Sequence, residues 1–589
     1  MRRMRLLLLL MAFGMPALEA FSQVKNFAPV TDQVLLNPSP DDWILPSRTY
    51  DWQRYSPLSQ VTRQNVGQLR MAWARGMAPG AHESIPVVYR GVMYVPIPGG
   101  GGIQALDATN GDLIWEYDRN LPNDLSKFIG NVGRVRTLAL YEDMLYYTSA
   151  DGFVVALDAQ TGKLRWEMKV QDYHTRVQHT AGPIAVKGKI ISGRSCPSAV
   201  TTRSGCFIVA LDAKTGQQVW KWYTTPAPDE PGGESWGTVP IEERMASPWG
   251  LPGSYDPVRN LLYWGIANPR PHTRMKRHHG NIDDIPREAP ADLYSDSTVA
   301  LNPDTGKLAW YYQHLPGDDW DFDFPEERLL IRTIVSPDPS AVKWIKPGID
   351  RNQPRDVVVT IGEAGGLFVL DRDKGGFLWA MPWPFDVPEF YLSNIDVETG
   401  KTYLNWDRVL KKDGDKKLVC FGNSRNYWPM AYNPQNNSLY ASYFDECEEK
   451  TADPTSPEGD DSKTVIRPGS DPNAFGALAK IDMATGHVDR FYKGPIGGHS
   501  AVLATAGGLV FWGDMNRRFR AFDADNGKIL WTGIVGGIIQ NSTITYAVNG
   551  KQYVALLTGD GGPSMSKLNV VPSVKPPKGH NAIYVFSLP

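Results

Sequence analysis

Short apolar and aromatic runs alternate with clusters of Asp, Asn, Thr and Gly along most of the chain, and helical spacing of apolar positions is scarce. One pattern recurs: an apolar pair and Asp, then Thr-Gly, then Trp. It occurs at Ala105-Leu106-Asp107 to Gly111 and Trp115, and again at Ala156-Leu157-Asp158 to Gly162 and Trp166. Further copies run from Asp212 to Trp220, Asn302 to Trp310, Asp371 to Trp379 and Asp523 to Trp531; a copy at Asp482 to Gly486 lacks the Trp. Each copy reads as strand, tight turn, strand, with Gly supplying a left-handed position and Trp free to bury against the next unit. Another strand precedes most copies, as at Met93-Tyr94-Val95 and Met144 to Tyr147. A small antiparallel sheet cannot bury both faces alone, but sheets stacked radially can.

The pattern therefore predicts an all-β fold, an eight-bladed β-propeller: seven visible turns plus one unit built from both termini. The strand at Ala582 to Phe586 is expected to close the ring against the segment near Leu69 to Trp73. Long gaps separate Asp212 from Asn302 and Asp371 from Asp482, and such insertions fall on one face, often the functional one. The polar residues 448–463 read as an exposed loop in the second gap.

Composition changes this picture little but excludes some functions. With 61 Lys+Arg against 64 Asp+Glu the net charge is −3, which lacks the footprint of a nucleic-acid binder or of docking on an anionic membrane. Residues 1–22 read as a signal peptide: three arginines, the run Leu6 to Leu10, and small residues at Ala20 and Ser22 where cleavage is expected. No later run reaches the roughly 18 apolar residues of a membrane span. The expectation is an exported, periplasmic protein with one propeller domain over residues 23–589 and no stable membrane insertion. Four cysteines in such a compartment suggest disulfides. Three pairings are possible; the local one joins Cys196 to Cys206 and Cys420 to Cys447. None lies in a C-x-x-C-H motif, so no c-type haem is attached.

The repeat, together with four other segments, resembles the pyrroloquinoline quinone (PQQ)-dependent alcohol dehydrogenases, over about Asp41 to Phe586. The first segment is Ala81-His82-Glu83-Ser84-Ile85-Pro86, whose Glu83 matches a family carboxylate against the quinone. In Gly133-Arg134-Val135-Arg136-Thr137, the resemblance gives Arg136 the role of polarising the quinone carbonyl, with Arg134 the alternative if the register shifts. Trp249 in Trp249-Gly250-Leu251-Pro252 matches the indole beneath the quinone, and Asn268 the metal-ligating amide. In Asp318-Asp319-Trp320-Asp321-Phe322-Asp323, Asp321 aligns with the catalytic base, which takes the alcohol proton as hydride leaves carbon. Weaker matches make Thr180, Asn426 and His499 cofactor contacts. Asp323, two residues beyond Asp321, stands where lanthanide-using members carry an extra Asp, so the metal set is Asn268, Asp321 and Asp323, for Ca²⁺ or a lanthanide.

Departures from the family are equally specific. Gly130-Asn131 replaces the family's adjacent cysteines, leaving Cys196 and Cys206 as candidates to build that wall. Between Gly193 and Cys206 no carboxylate supplies the family's metal-ligating Glu, and near Glu363 the family's basic residue is missing. Gly561-Gly562-Pro563-Ser564 stands in place of a bulky Trp, which implies a roomier substrate pocket. The resemblance thus implies an enzyme oxidising an alcohol larger than methanol, a secondary or cyclic alcohol or a polyol, with electrons passed to a soluble cytochrome c. A PQQ-dependent sugar or aldehyde dehydrogenase, and a non-enzymatic scaffold of outer-membrane assembly, are the alternatives.

Overall fold

In the computed structural model residues 23–130, 133–196 and 206–589 are described. The expected signal peptide, Asn131 and residues 197–205 lie outside them.

Eight sheets of four or five strands follow one another along the chain. The first runs Val87–Tyr89, Val92–Ile97, Gly102–Asp107 and Leu113–Asp118, each strand antiparallel to the next. The same meander recurs through to Ile529–Ile534 of the seventh sheet. First strands are mostly buried, as in Val87–Tyr89 and Ala139–Tyr141, whereas most fourth strands, such as Leu164–Lys169, are largely exposed; in the fifth sheet Trp344–Ile345 pairs outside the fourth strand, Phe377–Met381, which is buried. First strands therefore face the core and fourth strands the rim.

The repeat sits at the turn between third and fourth strands. Asp107 Oδ1 accepts from Thr109 N at 2.8 Å and from Thr109 Oγ1, and Gly111 N donates to Asp107 O at 2.8 Å, so Asp, Thr and Gly fix one turn among themselves. Most turn glycines then lie against a ring of the preceding sheet, Gly486 against Val342 being the exception. A Cβ on Gly162 would meet Trp115 at 2.5 Å, and one on Gly111 would meet Trp73 at 2.6 Å. Gly216, Gly306 and Gly375 face Trp166, Trp220 and Trp310 in the same way, and Gly527 faces Phe491, which stands in for the Trp missing from the degenerate copy. A tyrosine often shares the joint. Trp115 Nε1 and Tyr94 Oη both donate to Ala159 O, and Trp166 Nε1 and Tyr146 Oη both donate to Ala213 O.

Trp73 belongs to the eighth sheet and Gly111 to the first, so the contacts run in a closed ring. The closure is the one the sequence predicts: Ala582–Ser587 pairs with Arg70–Gly76 on one side and Lys551–Thr558 on the other. Two disulfides, Cys196–Cys206 and Cys420–Cys447, match the local pairing.

Residues 448–463 correct the sequence reading. Instead of an exposed loop they form most of an antiparallel hairpin, Glu446–Ala452 with Asp460–Ile466, and Lys416–Val419 adds a third strand. Its charges misled because several are buried in pairs. Lys450 is 2% exposed and lies 3.0 Å from Glu448 and 3.3 Å from Asp460. Alternate residues thus face inward despite their polarity. The Cys420–Cys447 bridge pins the base of this hairpin.

Candidate active site

The segments leading into the first strands carry Glu83, Arg136, Thr180, Trp249, Asp321, Asp323, Asn426 and His499. Those leaving the second strands carry Cys196, Asn268 and Glu363. In an antiparallel sheet the start of one strand and the end of its neighbour lie at the same edge, so one end of the ring collects all of these residues.

A cavity of about 360 Å³ opens there, lined by Arg134, Arg136, Thr180, Trp249, Asn268, Asp321, Asp323 and Asn426 among others. Cys196 is also in its wall, so the disulfide does border the chamber. Both arginines reach it. Beneath them Glu83, fully buried, pairs with Arg136 at 2.8 Å and with Arg134 at 3.1 Å. Arg136 is held further by the carbonyl of Trp249 at 3.0 Å, and its guanidinium carbon lies 4.8 Å from the Trp249 ring centre and 4.0 Å from that of Tyr427. Glu83 is thus a counter-ion behind the arginines, not a lining residue. Thr180 Oγ1 donates to Trp249 O at 3.0 Å. His499 is buried against Trp428, with ring centres 5.0 Å apart, and is not among the lining residues; Gly562 lies over it.

Asp321 and Asp323 both face the cavity, although Asp321 sits at φ 66° and the segment is no regular strand. Asn268 bridges them: its backbone N donates to Asp323 Oδ1 and its side-chain N to Asp321 Oδ1, both at 2.9 Å. Trp249 Nε1 donates to Asp323 Oδ2 at 3.0 Å. Asp321 keeps 43% of its side chain exposed, as a group that must meet a substrate requires.

Sequence reasoning missed His272, Arg270 and Glu363. His272 Nε2 lies 2.9 Å from Asp321 Oδ1 and its Nδ1 3.0 Å from Asp460. Burial raises the Asp321 pKa, but His272, Arg270 and Lys450 outweigh it and hold the carboxyl below its usual range. Burial and the neighbouring Asp321 charge push Asp323 the other way. No local pattern announced His272, because the partner that fixes it, Asp460, is 188 residues away in the sequence. Glu363 stands where the family's basic residue is missing; it lines the cavity, takes a bond from Asn426 at 2.7 Å and leaves Oε2 without a partner.

These groups suit a flat, anionic quinone. Trp249 offers an aromatic face, two anchored guanidiniums offer charge, and Thr180 and Asn426 offer polar contacts. The oxygen donors of Asn268, Asp321 and Asp323 suit a hard cation. Among the described residues no group of three or more His, Cys, Asp or Glu side chains gathers as a metal site.

The family model of the PQQ glucose/ethanol/alcohol dehydrogenase β-propeller domain matches residues 43–383 and 474–554. A quinohemoprotein alcohol dehydrogenase of Pseudomonas putida is 30% identical over 89% of this chain and 73% of its own length. The dehydrogenase subunit of the alcohol dehydrogenase (quinone) of Gluconobacter oxydans is also 30% identical, over 89% and 71%. Among solved structures, the same Pseudomonas enzyme superposes with a TM-score of 0.80 at 27% identity, covering 95% of this chain and 83% of that one. A europium-containing methanol dehydrogenase gives 0.79 at 26%, covering 95% and 100%. Among the described residues no helix is long and apolar enough to cross a membrane. Matching over this extent favours the enzyme over the assembly scaffold, and the chain belongs to the family of PQQ-dependent alcohol dehydrogenases.

Proposed function

We propose that this protein, exported as residues 23–589, oxidises an alcohol larger than methanol to the carbonyl in the periplasm and passes the electrons to a separate soluble cytochrome c. The observation that carries the reading is Asp321: a partly exposed carboxylate, fixed by Asn268 and His272, beside two anchored arginines and an indole face. When bound, PQQ supplies the electrophilic carbon that accepts hydride from the carbinol. Trp249, Arg134, Arg136, Thr180 and Asn426 would hold it, with His499 supporting from behind Gly562.

Asp321 is the base. Its Oδ1 already accepts from Asn268 and faces His272, which leaves Oδ2 to take the hydroxyl proton. The carbinol C–H electron pair departs as hydride, the O–H pair becomes the carbonyl π bond, and the proton rests on Asp321. Arg136 cannot swing away, because Glu83 and the Trp249 carbonyl fix it, so its charge stabilises oxyanion character at a constant position. Asn268, Asp321 and Asp323 would hold a cation acting as Lewis acid. Calcium is the first choice; Asp323 in the cavity wall favours a lanthanide as the second.

Asp321→Asn tests the base. The variant is expected to bind PQQ, read by quenching of tryptophan fluorescence, while kcat falls about 10²- to 10⁴-fold. Near-wild-type turnover with PQQ and metal bound would overturn the assignment.

A further inference from the structure

Arg136 is held from several sides. Glu83 Oε2 pairs with its Nη2 at 2.8 Å, and the carbonyls of Trp249 and Gly250 accept from its Nη1 at 3.0 and 3.3 Å. The other contacts are rings. The guanidinium carbon lies 4.8 Å from the Trp249 ring centre and 4.0 Å from that of Tyr427. The two rings are 6.2 Å apart at 73° to each other, so they form a corner around the cation. Hydrogen bonds hold a guanidinium by its edges; an aromatic face adds an attraction that no edge contact supplies.

The two rings differ in what else they do. The Trp249 indole lines the cavity and donates through Nε1 to Asp323 at 3.0 Å, so it serves the cofactor and metal sides as well. Tyr427 is fully buried and is not among the lining residues. Burial, and then the Glu83 carboxylate, push its hydroxyl well above the ordinary tyrosine range, so the ring stays a neutral phenol. Its backbone is fixed from the cavity wall: Tyr427 N donates to Asn426 Oδ1 at 2.8 Å, and Asn426 Nδ2 donates to Glu363 Oε1 at 2.7 Å. At the hydroxyl end a Cβ on Gly562 would come within 3.1 Å of Tyr427 Oη. Asn426 and Glu363 thus reach Arg136 through a ring that is closed in on both sides.

We propose that Tyr427 is a positioning residue of the oxidation: its ring face holds the Arg136 guanidinium where negative charge develops, and so raises kcat without touching substrate or cofactor. The assignment rests on Arg136 being the oxyanion stabiliser. Tyr427 also packs in an apolar cluster with Trp383, Met430 and Tyr443, which would be its whole purpose if it were only a core residue. The two roles part on chemistry. A core residue is replaceable by any side chain that fills the space, whereas a positioning ring must keep its negative face.

The test compares Tyr427→Phe, Tyr427→Leu and Arg136→Gln with the wild type, all loaded with PQQ and metal; Arg134 still pairs with Glu83 when Arg136 is replaced. The readouts are kcat and KM for the best substrate in a panel of primary and secondary alcohols, the absorption band of the bound quinone without substrate, and the thermal midpoint. Tyr427→Phe keeps the ring and is expected to stay within about twofold of wild-type kcat. Tyr427→Leu is expected to lose about tenfold in kcat, the size of a desolvated cation–π contact, with KM little changed. It is also expected to move the quinone band in the same direction as Arg136→Gln, and to cost less than about threefold when added to Arg136→Gln. Where the leucine variant does not fold, phenylalanine carrying none, one, two or three ring fluorines at position 427 takes its place. Fluorine withdraws charge from the ring face with little change of shape, so kcat is expected to fall step by step. An unchanged kcat and quinone band in Tyr427→Leu, or a flat fluorine series, makes Tyr427 a core residue and overturns the proposal while Arg136 keeps its role. Equal losses in Tyr427→Phe and Tyr427→Leu overturn it as well, since the hydroxyl and not the ring would then matter. If Arg136→Gln itself matches the wild type, the oxyanion assignment falls and takes the proposal with it.

Discussion

Both oxygens of Asp323 are already engaged, one by the Trp249 indole and one by the backbone of Asn268. Each carboxylate oxygen has a second lone pair, so these bonds and a metal ion are compatible. Asp323 therefore ties Trp249, the floor of the proposed quinone site, to the proposed metal ligands, and its loss should be felt at both. Asp323→Ala is expected to weaken metal affinity about tenfold or more, as loss of an orienting partner does. Calorimetric titration of Ca²⁺ and La³⁺ into wild type and variant, with PQQ present, reads it. Equal Ca²⁺ affinity in the two proteins removes Asp323 from the metal set, and greater activity with La³⁺ than with Ca²⁺ in the wild type decides for the lanthanide. At this scale Arg136, Trp249, Asn268, Asp321 and Asp323 were legible because each sits at a strand end inside a long matched segment. His272 was not. Its role depends on Asp460, 188 residues away, and no spacing in the sequence announces that pair.

The strand-turn-strand unit was the most legible element, since Asp, Thr, Gly and Trp each have a local reason to be where they are. Gly162 meets two demands at once: φ 71°, and a Trp115 ring so close that a Cβ would sit 2.5 Å from it. Gly348 has a similar φ, 73°, with nothing within 4 Å of a built Cβ. Gly348→Ala should therefore cost about 1–2 kcal/mol for backbone strain alone, and Gly162→Ala distinctly more, because the indole must also move. Urea unfolding midpoints of the two variants check this, and equal losses would mean that the Gly–Trp joint contributes no packing. The hairpin of residues 446–466 was illegible for the opposite reason. Charge normally marks a solvated surface, and here buried pairs such as Lys450 with Glu448 and Asp460 carry it inward. A run of acids and lysines looks the same in sequence whether it faces bulk water or a buried partner.

For the molecule as a whole, the ring matters more than any blade. The lining residues come from at least five different sheets, Arg136 from the second, Thr180 the third, Trp249 and Asn268 the fourth, Asp323 the fifth and Asn426 the sixth. None of those sheets contains the closure, yet their mutual positions depend on it. Closure rests on the C-terminal strand, whose Phe586 is 5% exposed and packs 5.2 Å from the Trp531 ring and 6.0 Å from Phe519, both in the seventh sheet. Phe586→Ala should cost about 3–5 kcal/mol, as for other buried aromatics. A linear repeat array would confine that loss to its end, and the last sheet would melt separately and early. A closed ring shares the loss, so unfolding should stay a single transition, coincident by tryptophan fluorescence and far-UV circular dichroism, with bound PQQ released in the same step. An early partial transition that leaves PQQ in place would mean that the eighth sheet is an appendage and that the other blades hold the site without closure.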